Sequence, residues 1–409
     1  MANKKNKRTG KEKKGFKISK NLKIAIISIA AIVVIAISVT TTVSVIKKKK
    51  AEKTVSIAFY GLSENYVNLL QEFIPKEEKI ILKCDVLSEG SIDLGALKNK
   101  YDMLFTWKGE ITDSLEASSE NIPPRILDTI ASSLRNNKCI PILLDHYELD
   151  YSLEVINQID RDIPNSYPGF LNYLNQSKNY VFSPFFCPGS NDRTLAAFVG
   201  AIIQANGGEG VYKKFIEELK NDTPFENLLD VNLGNNITLR SVLDSLKSWP
   251  EEGYCHPLWY NANSSDLLYF TESNQVGVFF TNLQEHREIP YKVITRYESY
   301  VLPPASSTIK FGIIAPSICG MLISDNSNAK RYLAEFFTAD AQELLSENTR
   351  LAPTHLRAQP CDRQADDVRY WAASCPAGAL PDLSLAAFQR KPEKLKTFTD
   401  SIRNYIRNN

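Results

Sequence analysis

The chain has 409 residues, with 48 Lys and Arg against 47 Asp and Glu. Residues 1–50 hold 14 of the basic groups and one acid, leaving 34 basic against 46 acidic groups, so the remainder is near −12. That balance argues against DNA or RNA as a partner, and the length calls for two lobes rather than one simple core.

Residues 1–23 contain ten Lys or Arg and one acid, Glu12. An apolar run follows from Leu22 to Ile46, LKIAIISIAAIVVIAISVTTTVSVI, whose one charge is Lys23 at its edge. A spanning helix needs about 20 apolar residues, and a lone segment in lipid satisfies its backbone only as a helix. A cleaved signal peptide has a shorter core, about 7–15 residues, and a small-residue cleavage step. This run ends instead in Thr40-Thr41-Thr42 and Lys47–Lys50, with no cysteine nearby. The expectation is an uncleaved signal-anchor transmembrane helix over 22–46. A basic tail over 1–21 is expected in the cytoplasm, and a linker over 47–54 leads to an extracytoplasmic domain. The predicted location is the cell (inner) membrane, single-pass.

Beyond the linker, Val55–Tyr60 reads as a buried strand stopped by Gly61. Tyr66, Leu69, Leu70 and Phe73 then fall at helical spacing. Ile80–Val86 is a second strand, Leu94–Lys98 a short helix, and Met103–Thr106 a third strand ending at Trp107. This β-α-β-α-β order predicts a parallel, doubly wound sheet. Pro123–Leu134 reads as helix and Cys139–Leu144 as strand, ending in Asp145-His146-Tyr147.

Polar, Asn-rich stretches then mark a change of region. Tyr180–Phe186 is strand-like. A helix is predicted over Thr194–Asn206, capped by Ser190 or Asn191 and closed by Gly207-Gly208. Residues 210–221 and 237–248 read as further helices. Gln275–Phe280 is an isolated strand ending at Thr281-Asn282, and Tyr297–Leu302 is extended. Phe311–Ile323 holds one or two buried strands. Asn328–Ser346 reads as one helix with Tyr332, Leu333, Phe336 and Phe337 as its apolar stripe, and a basic helix spans Lys394–Arg407.

Seven cysteines (84, 139, 187, 255, 319, 361 and 375) are scattered without a C-x-x-C pair. Cys84, Cys139 and Cys319 fall in apolar runs and read as buried thiols. Cys361 and Cys375 are the candidate disulfide pair.

Three stretches share a resemblance: YDMLFTW (101–107), LLYFTESNQVGVFFTN (267–282) and ISDNSNAKRYLAEFFTADAQELLSENTRLAPTH (323–355). In order and spacing the chain resembles the extracytoplasmic solute-binding proteins of ABC importers, specifically the type II family 1 that includes sugar binders. The segment 364–383 falls outside the resemblance. It implies an α/β, two-lobed periplasmic-binding-protein type II fold, here preceded by one transmembrane helix. Lobe 1 is expected over 55–145 plus 300–340, and lobe 2 over 146–299 plus 341–409. Crossings are placed near Asp145–Tyr151, Tyr297–Pro303 and Ala339–Ser346.

Ligands of such sheets bind beyond the carboxyl ends of the strands, and lobe closure captures them. Tyr60 and Trp107 end strands there and offer rings for the apolar face of a sugar. Asp145 can accept from hydroxyl groups or cap a turn. Phe186, Asn191 and Asp192 precede a helix N-terminus; Asn191 and Asp192 also read as caps. Phe280 and Asn282 end a strand, and Trp259 with Tyr260 forms an aromatic loop, lid or core. His146, His256, His286 and His355 share no metal-binding spacing, so no metal or cofactor is expected. No nucleophile elbow or P-loop occurs, and no enzyme activity is expected.

The expected function is a membrane-anchored substrate-binding component of an ABC importer. It would capture a small solute, a sugar or oligosaccharide, and deliver it to permease subunits in the same membrane. The alternatives are a sensor or scaffold using the same fold on a membrane partner, and an extracytoplasmic enzyme or folding factor.

Overall fold

The computed structural model describes residues 54–73 and 80–407. The expected tail, the transmembrane segment 22–46 and residues 47–53 of the linker lie outside the described residues. Among the described residues no helix is long and apolar enough to cross a membrane.

Two sheets organise the chain. Strands β1 (Thr54–Tyr60), β2 (Ile81–Leu87), β3 (Met103–Trp107), β4 (Cys139–Leu144), β10 (Ser317–Leu322) and β11 (Ala352–Pro353) form the first, in the order β11-β4-β10-β3-β1-β2. β1 and β3 run parallel, from Ile57 beside Met103 to Tyr60 beside Thr106. β10 lies antiparallel between β3 and β4, because it enters only after the chain has built the second lobe. Period-2 alternation lets β1 serve two cores. Val55, Ile57 and Phe59 enter one apolar cluster, and Ala58 and Tyr60 enter another on the opposite face. Helices therefore cover both faces, as the β-α-β order predicts.

The second sheet has the order β6-β7-β5-β8: Ser183–Phe186, Val276–Asn282, Tyr147–Ser152 and Tyr297–Tyr300. β5 pairs antiparallel with both β7 and β8, while β6 runs parallel to β7. β5 and β8 coincide with the first two expected crossings. A third, small pair joins β9 (Ile313–Ile314) to β12 (Ala379–Leu380).

Several expectations are corrected. The helix expected over 123–134 stops after Pro124–Leu127. The Thr129 hydroxyl donates to the Ile126 carbonyl at 2.7 Å, and Ile130 bridges to His355 instead of continuing the turn. The helix expected over 328–346 is two helices, Ser327–Glu335 and Ala339–Thr349. Thr338 caps the second through Ala341 N–H, and the buried Gln342 amide donates to the Phe336 carbonyl at 2.8 Å, fixing the break. By contrast, the two helices expected on either side of Gly207-Gly208 are both present, within Asp192–Lys220, and the chain kinks between them at the non-helical Gly208.

The lobe partition changes too. Residues expected in lobe 2, including Leu345, Leu351, Ala365, Val368 and Ala372, join the first-lobe core, and β11 pairs with β4. From Leu380 on the chain joins the second-lobe core, with Leu383, Ala386, Phe388 and the final helix Pro392–Arg407. The apolar stripes of helices 339–349 and 363–374 match the exposed first-sheet face, which decides their lobe. All seven cysteines are free, so the candidate Cys361–Cys375 disulfide is absent.

Candidate functional site

Beyond the carboxyl ends of β1 and β3, the chain turns at Gly61 into helix Glu64–Glu72 and at Lys108 into helix Glu110–Glu116. A cavity of about 980 Å³ opens beside the first turn. Ser63, Asn65, Tyr66, Asn68, Glu89 and Trp107 line it from the first lobe, and Arg193 and Gln284 from the second. Tyr66 and Trp107 meet edge to face with centroids 5.9 Å apart. Gln284 donates to the Tyr66 hydroxyl across the lobes. Arg193 Nη2 donates to both carboxylate oxygens of Glu89, at 2.8 and 2.7 Å. The result is a half-buried aromatic corner ringed by amides, hydroxyls and one fixed ion pair. Such a corner can stack a ring and hydrogen-bond its edges.

Next to this cavity the cleft is filled by the protein itself. Helix Leu383–Ala387 lies between helix Glu110–Glu116 of the first lobe and helix Asp192–Lys220 of the second. A Cβ at Gly109 would stand 2.2 Å from the Leu385 carbonyl oxygen, so the two backbones touch. Gln389 then uses its whole amide on the first lobe. Its Nε2 donates to Thr106 Oγ1 at 3.3 Å and to the Trp107 carbonyl at 3.2 Å. Its Oε1 accepts from Ile111 N–H at 3.1 Å. On the other side, Tyr212 donates to the Pro381 carbonyl at 2.8 Å.

The ten residues predicted to touch a ligand separate accordingly. Trp107 lines the cavity. Tyr60 is fully buried, and its hydroxyl donates to the carbonyls of Gly90 and Gln389. Asp145 is buried and accepts from His146 and Leu283 N–H at 2.8 and 3.1 Å, tying the crossing together. Burial raises its pKa to about 7. Asn191 caps helix Asp192–Lys220 through Arg193 and Thr194 N–H. Asp192 is held by Arg403 at 2.8 Å and by the Thr399 hydroxyl at 2.6 Å.

The aromatic candidates other than Trp107 are core residues. Phe186 packs on Phe270, Phe280 stacks on Tyr147 at 5.4 Å, and Trp259 sits against Phe198. Tyr260 is buried where its backbone meets Gly189. The Trp259–Tyr260 loop is thus a core plug, because its rings find more apolar surface inside than the cavity offers. Asn282 caps helix Leu283–Glu288 through Glu285 N–H.

Tyr66, Glu89, Arg193 and Gln284 were not predicted. Tyr66 reads in the sequence as part of a core-facing stripe, and only its position just after Gly61 hints at a strand-end site. The other three come from distant segments that the fold brings together.

Two α/β lobes joined by crossing strands, with a cleft beyond the strand ends, make this the two-lobed fold of type II solute-binding proteins. No protein-family model matches the sequence, and no curated protein matches it. Solved structures do. The bacterial solute receptor AcbH, described as exclusively preferring β-D-galactopyranose, superposes with a TM-score of 0.66 at 13% identity, covering 86% of this chain and 92% of that one. MsmE of Bacillus subtilis, in an open conformation, gives 0.65 at 12% identity over 87% and 93%. RafE of Streptococcus pneumoniae in its apo form gives 0.57 at 12% identity over 87% and 97%. At such identities the likeness is one of fold.

Proposed function

We propose that this chain is the substrate-binding component of an ABC importer, capturing a sugar or oligosaccharide between its lobes. The observation that carries the reading is the Tyr66–Trp107 corner, set in a cavity walled by both lobes and lined by Asn65, Asn68, Glu89, Arg193 and Gln284. Aromatic faces take the apolar face of a sugar, and amides and carboxylates take its hydroxyls. The shared fold with sugar receptors agrees with this ligand class. Nothing in the reading requires chemistry on the solute.

Residues 22–46 anchor the chain in the cell membrane, with the N-terminus in the cytoplasm. A linker of about ten residues reaches roughly 30 Å at 3.3–3.6 Å per residue. That tether keeps the cleft near permease subunits of the same membrane at high effective concentration.

The test is a thermal-shift series on the full-length chain with mono- and oligosaccharides. A cognate sugar raises the midpoint, and Trp107→Ala weakens its binding about tenfold, the equivalent of about 1.4 kcal/mol. No shift with any sugar would sink the reading. A second reading, sensor or scaffold, is favoured by the self-filled cleft beside the cavity: Gln389 already takes the polar groups at the β3 strand end. It predicts no sugar response, and crosslinking in the membrane that recovers a partner other than a permease.

A further inference from the structure

Strand β5 carries a separate set of groups. Tyr147, Leu149 and Tyr151 enter the second-lobe core, so Glu148 and Asp150 face the other way. Both carboxylates are fully buried. His146 precedes them, and His286 arrives from helix Leu283–Glu288; both rings are buried. His286 Nδ1 lies 3.0 Å from Asp150 Oδ1 and 3.2 Å from Glu148 Oε1. His146 Nδ1 stands 3.7 Å from Glu148 Oε2, too far for a hydrogen bond. Ser299 donates to Asp150 Oδ1 at 2.6 Å, and Gln364 donates to Glu148.

Three buried atoms in this cluster have no hydrogen-bond partner: His146 Nδ1, Glu148 Oε2 and Asp150 Oδ2. A buried carboxylate without compensation costs several kcal/mol. Two unpartnered carboxylate oxygens, on two buried acids whose other oxygens meet His286, leave room for a cation to supply the missing compensation.

We propose that Glu148, Asp150 and His286 form a three-residue binding site for a divalent transition metal of the Zn²⁺ type, with a water completing four-coordination. Ligand atoms of the three residues lie within 4.8 Å of one another. A tetrahedral site with bonds of about 2.1 Å has donor–donor edges of about 3.4 Å, close to the separations at His286. One imidazole and two carboxylates suit zinc and its neighbours rather than calcium, which takes oxygen ligands. The ion's double charge balances both carboxylates, with His286 as a neutral ligand. Ser299 and Gln364 orient the carboxylates from outside, as supporting hydrogen bonds do in metal sites.

The site has a mechanical setting. β5 is a crossing between the lobes, while Gln364 and Trp371, whose ring lies 5.3 Å from that of His146, belong to first-lobe helix Arg363–Ser374. A bound ion would tie the crossing to that lobe. The sequence hides this set because Glu148-x-Asp150 is a strand spacing and His286 is remote.

The test is metal analysis of the full-length chain, stripped with chelator and titrated with Zn²⁺ alone and Co²⁺ alone. The expected result is one ion per chain, with a Co²⁺ absorption spectrum of four-coordinate nitrogen–oxygen type. Binding should fall at least tenfold in His286→Ala and in Glu148→Gln, and persist in His256→Ala, whose ring is on the surface. No stoichiometric binding by the parent chain overturns the proposal and leaves a proton on His286 as the compensating charge. Binding that survives both cluster substitutions overturns it equally. If those variants fail to fold, the parent's Co²⁺ spectrum decides.

Discussion

Asp382 caps helix Leu383–Ala387, accepting from Ser384 and Leu385 N–H at 2.7 and 3.2 Å while buried. Burial pushes its carboxyl above the ordinary 3.8, against the pull of the Ser384 hydroxyl and of Arg193. The native state therefore holds this proton more tightly than the unfolded chain. The stability it contributes is complete below the unfolded value and is lost as pH rises through the folded one. Asp382→Asn keeps an acceptor for the cap and has no proton to lose. Urea denaturation from pH 4 upward should show the parent losing stability relative to the variant. A constant difference across that range would mean the carboxyl is not perturbed. Trp107 and Trp259 make a second residue-scale point. Both are tryptophans where regular structure gives way to a turn, Trp107 as the last residue of β3 and Trp259 in a 3-10 turn, yet one lines the cavity and one is core. Local sequence does not separate them, because the choice depends on which surface the rest of the chain leaves open.

Among the elements, the long helix Asp192–Lys220 shows how a single position redirects a segment. Gly208 has φ +78°, and a Cβ there would stand 2.7 Å from Ile309 Cγ2 and 2.8 Å from the Lys310 carbonyl oxygen. The next residue secures the contact: Glu209 N–H donates to that carbonyl, and its carboxylate pairs with Lys213 and Lys310 at 2.6 Å. Gly208→Ala should cost about 2 kcal/mol or more, since it meets both a disfavoured φ and a filled space. Gly210 is two residues away with nothing within 4 Å of its would-be Cβ. Gly210→Ala should be neutral or stabilising by up to about 1 kcal/mol, as expected in an open helix interior. Chemical denaturation of the two variants measures the contrast. Equal effects would show that the kink is not set by Gly208. The pair Gly207-Gly208 was legible as a stop for one helix. The helix over 210–221 was legible as well. That the kink between the two wraps the loop holding Ile309 and Lys310 was not, because that loop lies about a hundred residues on.

In the whole molecule, lobe-to-lobe contact is carried by unequal bonds. Arg193–Glu89 and Lys220–Asp113 are partly exposed pairs, and exposed pairs contribute about 0–1 kcal/mol. Gln389 is buried and places three side-chain hydrogen bonds on the first lobe. Gln389→Ala should lower stability by about 2–4 kcal/mol through the buried groups it strands. It should also enlarge the radius of gyration in small-angle scattering, as the lobes separate around the crossings. Arg193→Ala should change stability by less than 1 kcal/mol and leave the radius unchanged. If the two variants behave alike, the lobes are not pinned by the C-terminal segment. Pinning of this kind raises the cost of opening, and a ligand overcomes it only by its preference for one state.

The sequence by itself determined the periodic parts. The alternation of β1 and the β-α-β order of the first sheet follow from side-chain spacing and local turn residues, which act within a few positions of one another. The two-lobed class was what the resemblance to solute-binding proteins implied. Only the tertiary structure decided where 341–380 packs, because an apolar helix face fits any matching surface and the first sheet was the one left open. Only it decided that Tyr60 would be spent on Gln389 and that Tyr66, Arg193 and Gln284 would share a cavity with Trp107. It alone gathered Glu148, Asp150 and His286. Each of those groupings joins segments far apart in the chain, and contacts of that range are fixed by the shape and charge of surfaces that exist only once the lobes have formed.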